Sequence, residues 1–157
     1  PGICLAVQTA DCVPILLFDP VKNVVAAVHA GWKGTVSKLL AKTIDRMKQE
    51  YGCEAENIRA GIGPSIHKHS YEVGDDVIRQ VMDVFPNYEA LLSPSVRDGK
   101  AFFDLWEANK SQLLESGVLP ENTEIMGMCS FGLDELFYSA RRDGFETGRM
   151  VSCIMLN

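Results

Sequence analysis

Apolar and polar positions in the first 30 residues alternate in the manner of β-strands. Two apolar runs, Val13 to Phe18 and Val24 to Val28, are separated by a polar segment, 19–23, in which proline and asparagine favour a turn. The pattern predicts a β-hairpin. Cys12 lies just before its first strand and His29 just after its second. Because antiparallel pairing brings these positions to the same end of the sheet, we expect the thiol and the imidazole to lie side by side.

Beyond residue 34 the apolar spacing changes to steps of three and four residues, which is typical of an amphipathic helix. This helix is predicted to begin after Thr35, as its N-cap, and to end at Gly52. Further helices are predicted over 75–85 and from Asp104 to about Ser116, with Leu105, Leu113 and Leu114 facing inward, and further strands over 3–7, 58–62, 101–103, 124–128 and 150–156. Because the first strands are consecutive and the later ones are separated by helices, the pattern favours the α+β class over a doubly wound parallel sheet.

Composition narrows the classes of function. The chain has 157 residues, of which 46% are hydrophobic, and this is enough for one domain with its own core. The formal net charge of −6 and the absence of a lysine or arginine block argue against nucleic acid and anionic membranes as partners. No apolar run approaches the roughly 20 residues that a membrane span needs. Five scattered cysteines without a Cys-x-x-Cys motif are typical of a reducing compartment, so we expect a cytoplasmic protein.

The predicted pairing of Cys12 with His29 is compatible with two chemistries. In one, Cys12 is a thiolate nucleophile, His29 is its base, and Asp11 orients the imidazole. In the other, Cys12 and His29 bind Zn²⁺, which at catalytic sites normally has three protein ligands and one open position. His67 and His69 are the only other histidines from which a third ligand could come. A buried cysteine beside a hydrogen-bonded turn histidine is the competing structural interpretation.

Two polar loops carry further candidate residues. The first, residues 63–74, contains His67, and the second contains Arg141, Arg142 and Arg149. Guanidinium groups bind phosphate or carboxylate through paired hydrogen bonds, so these arginines are candidates for contacting an anionic substrate, with ordinary surface charge as the alternative.

Several motifs of this chain resemble those of the YfiH/laccase-domain family. They are Thr-Ala-Asp-Cys-Val-Pro-Ile-Leu-Leu-Phe-Asp, Ala-Val-His-Ala-Gly-Trp-Lys-Gly-Thr, Gly-Ile-Gly-Pro-Ser-Ile, Ser-Tyr-Glu-Val-Gly, Ser-Ala-Arg-Arg-Asp and Thr-Gly-Arg. The resemblance extends over residues 1–157 as a single domain. It implies a four-layer α/β/β/α sandwich with mixed sheets. It also implies a zinc-dependent purine nucleoside phosphorylase with adenosine deaminase activity, acting on adenosine, inosine, guanosine or methylthioadenosine with phosphate.

The same resemblance assigns zinc ligands to Cys12 and His29. The family's third ligand is a histidine in a segment that precedes the Thr-Ala-Asp-Cys run, so the third ligand is expected upstream of Pro1. The chain is therefore expected to be the C-terminal portion of a longer protein, without the N-terminal part of the sandwich. A metal-independent thiol hydrolase that uses Cys12 and His29, or a non-catalytic binding domain on the same scaffold, are the alternative hypotheses.

Overall fold

Three β-sheets and six α-helices are present in the computed structural model, which describes all 157 residues. The strands are β1 (Cys4–Thr9), β2 (Val13–Asp19), β3 (Val24–Ala30), β4 (Arg59–Ile62), β5 (Glu72–Gly74), β6 (Leu92–Pro94), β7 (Lys100–Phe103), β8 (Thr123–Ile125) and β9 (Met150–Met155). The helices are α1 (Trp32–Val36), α2 (Leu39–Tyr51), α3 (Asp75–Val84), α4 (Tyr88–Leu91), α5 (Leu105–Glu115) and α6 (Ala140–Asp143). The mixture of antiparallel hairpins and separate helices confirms the α+β prediction.

The central sheet has the strand order β3-β2-β4-β8. Its β2–β3 and β2–β4 pairs are antiparallel, and β4 pairs with β8 in parallel. Alternate side chains of a strand point to opposite faces, so Val13, Ile15 and Leu17 are all fully buried on one face of β2. On the other face, Leu16 and Phe18 are only half-buried. The predicted hairpin is confirmed, with β3 extending two residues further than expected.

The remaining elements form a layer on either face of this sheet. Helix α2 packs against β3 and buries Leu40, Ile44 and Met47. On the opposite side, β1 and β9 form an antiparallel two-stranded sheet that contacts β2 and β3. The third sheet, of order β5-β7-β6, contacts α3 and α4. These layers match a helix-sheet-sheet portion of the expected sandwich.

The helix predicted to begin after Thr35 is divided in two. Helix α1 ends at Val36, and α2 starts after Lys38, which has a left-handed backbone conformation with φ 55°. Thr35 is therefore not an N-cap. It is fully buried inside α1, where its Oγ1 atom accepts a hydrogen bond from Asn109 at 3.0 Å. The expected stop is confirmed, because Gly52 ends α2 with φ 66°.

Local signals for α5 were partly correct. Asp104 caps this helix by accepting a hydrogen bond from the Glu107 amide at 3.0 Å, as expected. Leu114 was wrongly predicted to face inward and is 37% exposed, whereas the polar Gln112 is fully buried. Gln112 is tolerated there because its amide donates to the Thr35 carbonyl oxygen at 3.1 Å. None of the helices has the length and apolar character needed to cross a bilayer.

Candidate functional site

Cys12 and His29 line the same cavity, which has a volume of about 270 Å³. Its other lining residues are Gly31, Trp32, Lys33 and Gly34. Pro14 pairs with His29 in the hairpin, and continuing this register places Cys12 opposite Gly31 and diagonally across from His29 on the same face. A Cβ atom at Gly31 would lie 2.7 Å from the Cys12 sulfur, so a larger residue here would displace the thiol. The structure thus brings thiol and imidazole together, with His29 inside β3 rather than after it.

The charge environment of Cys12 favours the protonated thiol. Burial raises its pKa above the ordinary value, the negative charge of Asp11 raises it further, and the positive charge of Arg149 partly opposes them. A cysteine that acts as a nucleophile without a metal needs the opposite shift. A bound metal ion, by contrast, deprotonates a thiol that coordinates it. The raised pKa therefore argues against Cys12 as a nucleophile that acts without a metal.

Asp11 is bound to the C-terminal segment. Ser130 donates a hydrogen bond to its Oδ1 atom at 2.7 Å, and its Oδ2 atom accepts from the Ser139 hydroxyl at 3.0 Å and from the Arg141 backbone amide at 2.6 Å. No hydrogen bond joins the carboxylate to His29. This corrects the prediction that Asp11 orients the imidazole, because both carboxylate oxygens already have partners elsewhere.

The prediction that Arg142 contacts an anionic substrate is also corrected, because its guanidinium group holds a loop of the protein in place. It donates to the carbonyl oxygens of Ser130 and Phe131, both at 3.1 Å, and to that of Phe137 at 2.9 Å. It also forms two hydrogen bonds with the Asp143 carboxylate. With its donors occupied and its charge paired, Arg142 is not available to bind phosphate.

Arg141 differs from Arg142 both in how many of its N–H groups are occupied and in whether its charge is paired. Its guanidinium group donates one hydrogen bond, to the Glu72 carbonyl oxygen at 2.8 Å, and lies 5.1 Å from the centre of the Tyr71 ring. It forms no salt bridge with a carboxylate. The remaining N–H groups of the Arg141 guanidinium have no hydrogen-bond partner in the protein, and contact between Arg141 and an anion stays a prediction.

Tyr71 belongs to the site but was not identified from the sequence. Burial raises its pKa to about 12; the neighbouring Cys12 adds to the shift, and Arg141 opposes it. The phenol therefore stays protonated at neutral pH, and its ring lies next to the Arg141 guanidinium. Two signals in the sequence could have identified Tyr71: its loop is rich in glycine, serine and histidine, and loop residues contribute disproportionately to function. It also lies in the Ser-Tyr-Glu-Val-Gly motif quoted above.

Arg149 contributes a second fixed cation. Its guanidinium group donates to the carbonyl oxygens of Phe145, Thr147 and Gly148, so it is held by its own loop. It forms no salt bridge. Its positive charge lowers the pKa of the Cys12 thiol and so partly opposes the effects of burial and Asp11.

His67 and His69 lie in a separate aromatic group. The His67 ring centre is 4.8 Å from that of Trp106 and 4.7 Å from that of His69, and its Nδ1 atom accepts a hydrogen bond from the His69 amide at 3.4 Å. Burial lowers the pKa of His67, and the neighbouring His69 lowers it further. Neither histidine lines the cavity that holds Cys12 and His29, and contact between His67 and substrate remains a prediction.

The donor set tests whether zinc fits. A thiolate and an imidazole are both ordinary zinc ligands, so the two residue types are suitable. However, no group of three or more histidine, cysteine, aspartate or glutamate side chains is arranged to hold a metal ion. At this cavity the chain offers two side chains of zinc-ligand type, one fewer than a catalytic zinc normally has, and neither His67 nor His69 lies there.

Comparisons with known proteins agree on the family. The family model described as multi-copper polyphenol oxidoreductase laccase matches residues 1–157. A protein of Bacteroides thetaiotaomicron named purine nucleoside phosphorylase is 40% identical over the whole chain, which spans 58% of that relative's length. A protein from an unknown prokaryote named adenosine deaminase RL5 is 38% identical over 94% of the chain and 56% of its own length. The crystal structure of the Bacillus licheniformis hypothetical protein YfiH superposes with a TM-score of 0.96 at 35% identity, covering the whole chain and 59% of that protein.

Proposed function

The chain belongs to the YfiH/laccase-domain family, and on this premise we propose that the full-length protein containing it is a zinc-dependent purine nucleoside phosphorylase with adenosine deaminase activity. Its substrates are adenosine, inosine, guanosine or methylthioadenosine together with phosphate, and its products are the free base and a ribose 1-phosphate.

One observation carries this proposal. A thiol and an imidazole share a cavity whose surroundings include an arginine with no carboxylate partner. Phosphorolysis needs a group that stabilises the departing base and a cation that holds phosphate near the sugar carbon. The names of the relatives, purine nucleoside phosphorylase and adenosine deaminase, point to the same pair of reactions.

Each residue has a defined role in this scheme. Cys12 and His29 would hold Zn²⁺ together with a third ligand from outside these 157 residues. Zinc held there would supply Lewis-acid chemistry for both reactions. Arg141 binds phosphate through the N–H groups that Glu72 leaves free. Tyr71, still protonated, is a further hydrogen-bond donor next to the Arg141 guanidinium.

The experiment uses purified full-length protein. Incubation with inosine and phosphate is expected to give hypoxanthine and ribose 1-phosphate, with no base released when phosphate is omitted. Adenosine is expected to release ammonia as well. Elemental analysis should find about one zinc per chain, and removal by a chelator should abolish turnover until zinc is restored.

The alternatives give different results. A thiol hydrolase would retain full activity in chelator, but the raised pKa of the Cys12 thiol already disfavours this reading. A non-catalytic binding domain would release no hypoxanthine under any of these conditions. Either result would refute the proposed reaction.

A further inference from the structure

Asp11 is placed where three segments of the chain meet. It precedes Cys12 and has φ 85°, a left-handed conformation that a residue with a side chain rarely adopts. Its carbonyl oxygen accepts a hydrogen bond from the Ile66 amide at 3.0 Å, which connects it to the loop that leads to Tyr71. Its side chain is buried and binds the C-terminal segment. A strained residue at such a junction persists only where the surrounding contacts hold it.

The link to the C-terminal segment ends on Arg141. The Oδ2 atom of Asp11 accepts from the Arg141 amide at 2.6 Å and from the Ser139 hydroxyl at 3.0 Å. Ser139 in turn caps α6, because its Oγ atom also accepts from the Arg142 amide at 3.2 Å. Hydrogen bonds to a charged carboxylate are stronger than those between neutral groups. The buried carboxylate therefore fixes the backbone from which the Arg141 side chain extends towards Tyr71.

We propose that Asp11 is the positioning residue for Arg141. By holding the start of α6, it keeps the guanidinium beside Tyr71 and so sets the affinity of the site for its anionic co-substrate, inorganic phosphate. Asp11 takes no part in proton transfer at His29. This inference rests on the proposed function only in taking phosphate as the anion.

Two substitutions at Asp11 separate the effect of losing its carboxylate from the effect of its left-handed backbone conformation. Asp11→Gly removes the side chain at a position where glycine adopts the required φ without cost. Asp11→Asn keeps one oxygen, which can face the Arg141 amide, and asparagine also tolerates a left-handed backbone. Asp19→Ala is the matched control: Asp19 is a fully buried aspartate at the other end of β2, and its carboxylate accepts from the amides of Val21 and Lys22 and from the Cys53 thiol, none of which lies at the site.

In full-length protein, Asp11→Gly is expected to raise KM for phosphate about ten-fold or more, the effect of losing one well-placed charge-assisted contact. KM for the nucleoside, kcat and the pH profile should change little. Asp11→Asn should recover most of the phosphate affinity, and Asp19→Ala should leave all these constants unchanged. Calorimetric titration with inorganic phosphate should show the same order of affinities without turnover.

Two serines keep the test decisive if the glycine variant fails to fold. Ser139→Ala removes the partner that adjoins Arg141 and should raise KM for phosphate selectively, about three-fold for one lost neutral hydrogen bond. Ser130→Ala removes the partner on the other carboxylate oxygen and should not change it.

The contrary outcomes are equally specific. Equal effects of the two serine variants would overturn the inference, as would an equal rise of both KM values in Asp11→Gly. A fall in kcat with a shifted pH profile would show that Asp11 acts on the protonation of His29, and this result would also overturn the inference. Wild-type protein that binds phosphate but releases no base would refute the proposed phosphorolysis and leave the positioning role standing, whereas wild-type protein that binds no phosphate would refute the positioning role.

Discussion

The two ends of strand β2 are built from the same residue type and used differently. At one end, Asp19 is fully buried and its carboxylate accepts from the Val21 and Lys22 amides, two and three residues away. At the other end, the Asp11 carboxylate accepts from Ser130 and from groups further along the same segment, about 120 to 130 residues away. One aspartate closes a turn, and the other joins distant parts of the chain.

The difference between Asp11 and Asp19 shows which end of the hairpin can gather ligand-binding residues. A carboxylate that accepts from the amides of its own turn stabilises the strand connection and brings no binding group from a distant loop. At the site end, each distant partner brings further chemistry next to Cys12, above all Arg141 and Tyr71. Binding residues are commonly found on loops that a rigid scaffold positions, and β2 with β3 is the scaffold here.

The largest expected effect is at the site end. Cys12→Ala should lower kcat/KM for phosphorolysis by at least about 100-fold, because even groups that only support a metal ligand contribute 10- to 100-fold. The fold should be retained, since Cys12 is only half-buried. Steady-state kinetics, zinc content and circular dichroism of the full-length protein measure this. Cys153→Ala, at an exposed cysteine, is the control, and a Cys12 variant with near-normal turnover would contradict the site assignment.

The next largest effect tests the space around the thiol. Gly31→Ala places a Cβ atom 2.7 Å from the Cys12 sulfur, so the sulfur or the strand end must shift. A displacement of this size should reduce kcat/KM by about ten-fold or more. Gly61→Ala in β4 is the control, because its Cβ atom would meet no atom within 4 Å. Equal activity of the two variants would show that the position of the sulfur is not critical.

A smaller effect on activity is expected from the adjacent residues Arg141 and Arg142, whose substitutions should change different properties of the protein. Arg141→Ala should raise KM for phosphate by about ten-fold, as expected for loss of one charged contact. Arg142→Ala should instead lower the thermal midpoint, because its guanidinium holds three carbonyl oxygens of the preceding loop. Kinetics at varied phosphate and thermal melts of both variants decide the matter. The comparison fails if Arg142→Ala acts on phosphate KM alone.

The smallest effect on activity is expected at the turn end. Asp19→Ala should leave turnover unchanged and lower the free energy of unfolding by about 1–2 kcal/mol, for two lost hydrogen bonds in a turn. Burial raises the pKa of Asp19, but hydrogen bonds from Lys22, Cys53 and Val21 outweigh it, so the pKa is lower than usual. This stabilisation is present above about pH 4, the unfolded value, and is lost as the pH falls through the lower folded value.

Denaturant unfolding of wild type and Asp19→Ala at several pH values tests this last prediction. The stability difference between them should be constant near neutral pH and shrink on acidification below about pH 4. A difference that grows on acidification would contradict the assigned direction of the pKa shift.

Local patterns in the sequence determined most of the secondary structure. The alternation over residues 13–30 specified the β2–β3 hairpin, and Asp104 and Gly52 correctly marked helix boundaries, because turn and cap chemistry acts within a few residues. Short elements such as β5 and β6, of three residues each, carried no such signal. They exist because β7 pairs with both of them.

The sequence by itself also determined that Cys12 and His29 lie at one end of the hairpin, since antiparallel pairing fixes which positions meet. Only the tertiary structure decided what surrounds them. It directed Asp11 to Ser130 and Arg141 rather than to His29, and it paired Arg142 with Asp143 while leaving the Arg141 guanidinium without a carboxylate partner. The physical reason is that these hydrogen bonds, whether to residues more than 100 positions away or to carbonyl oxygens of an irregular loop, depend on how the loops fold, which local spacing does not encode.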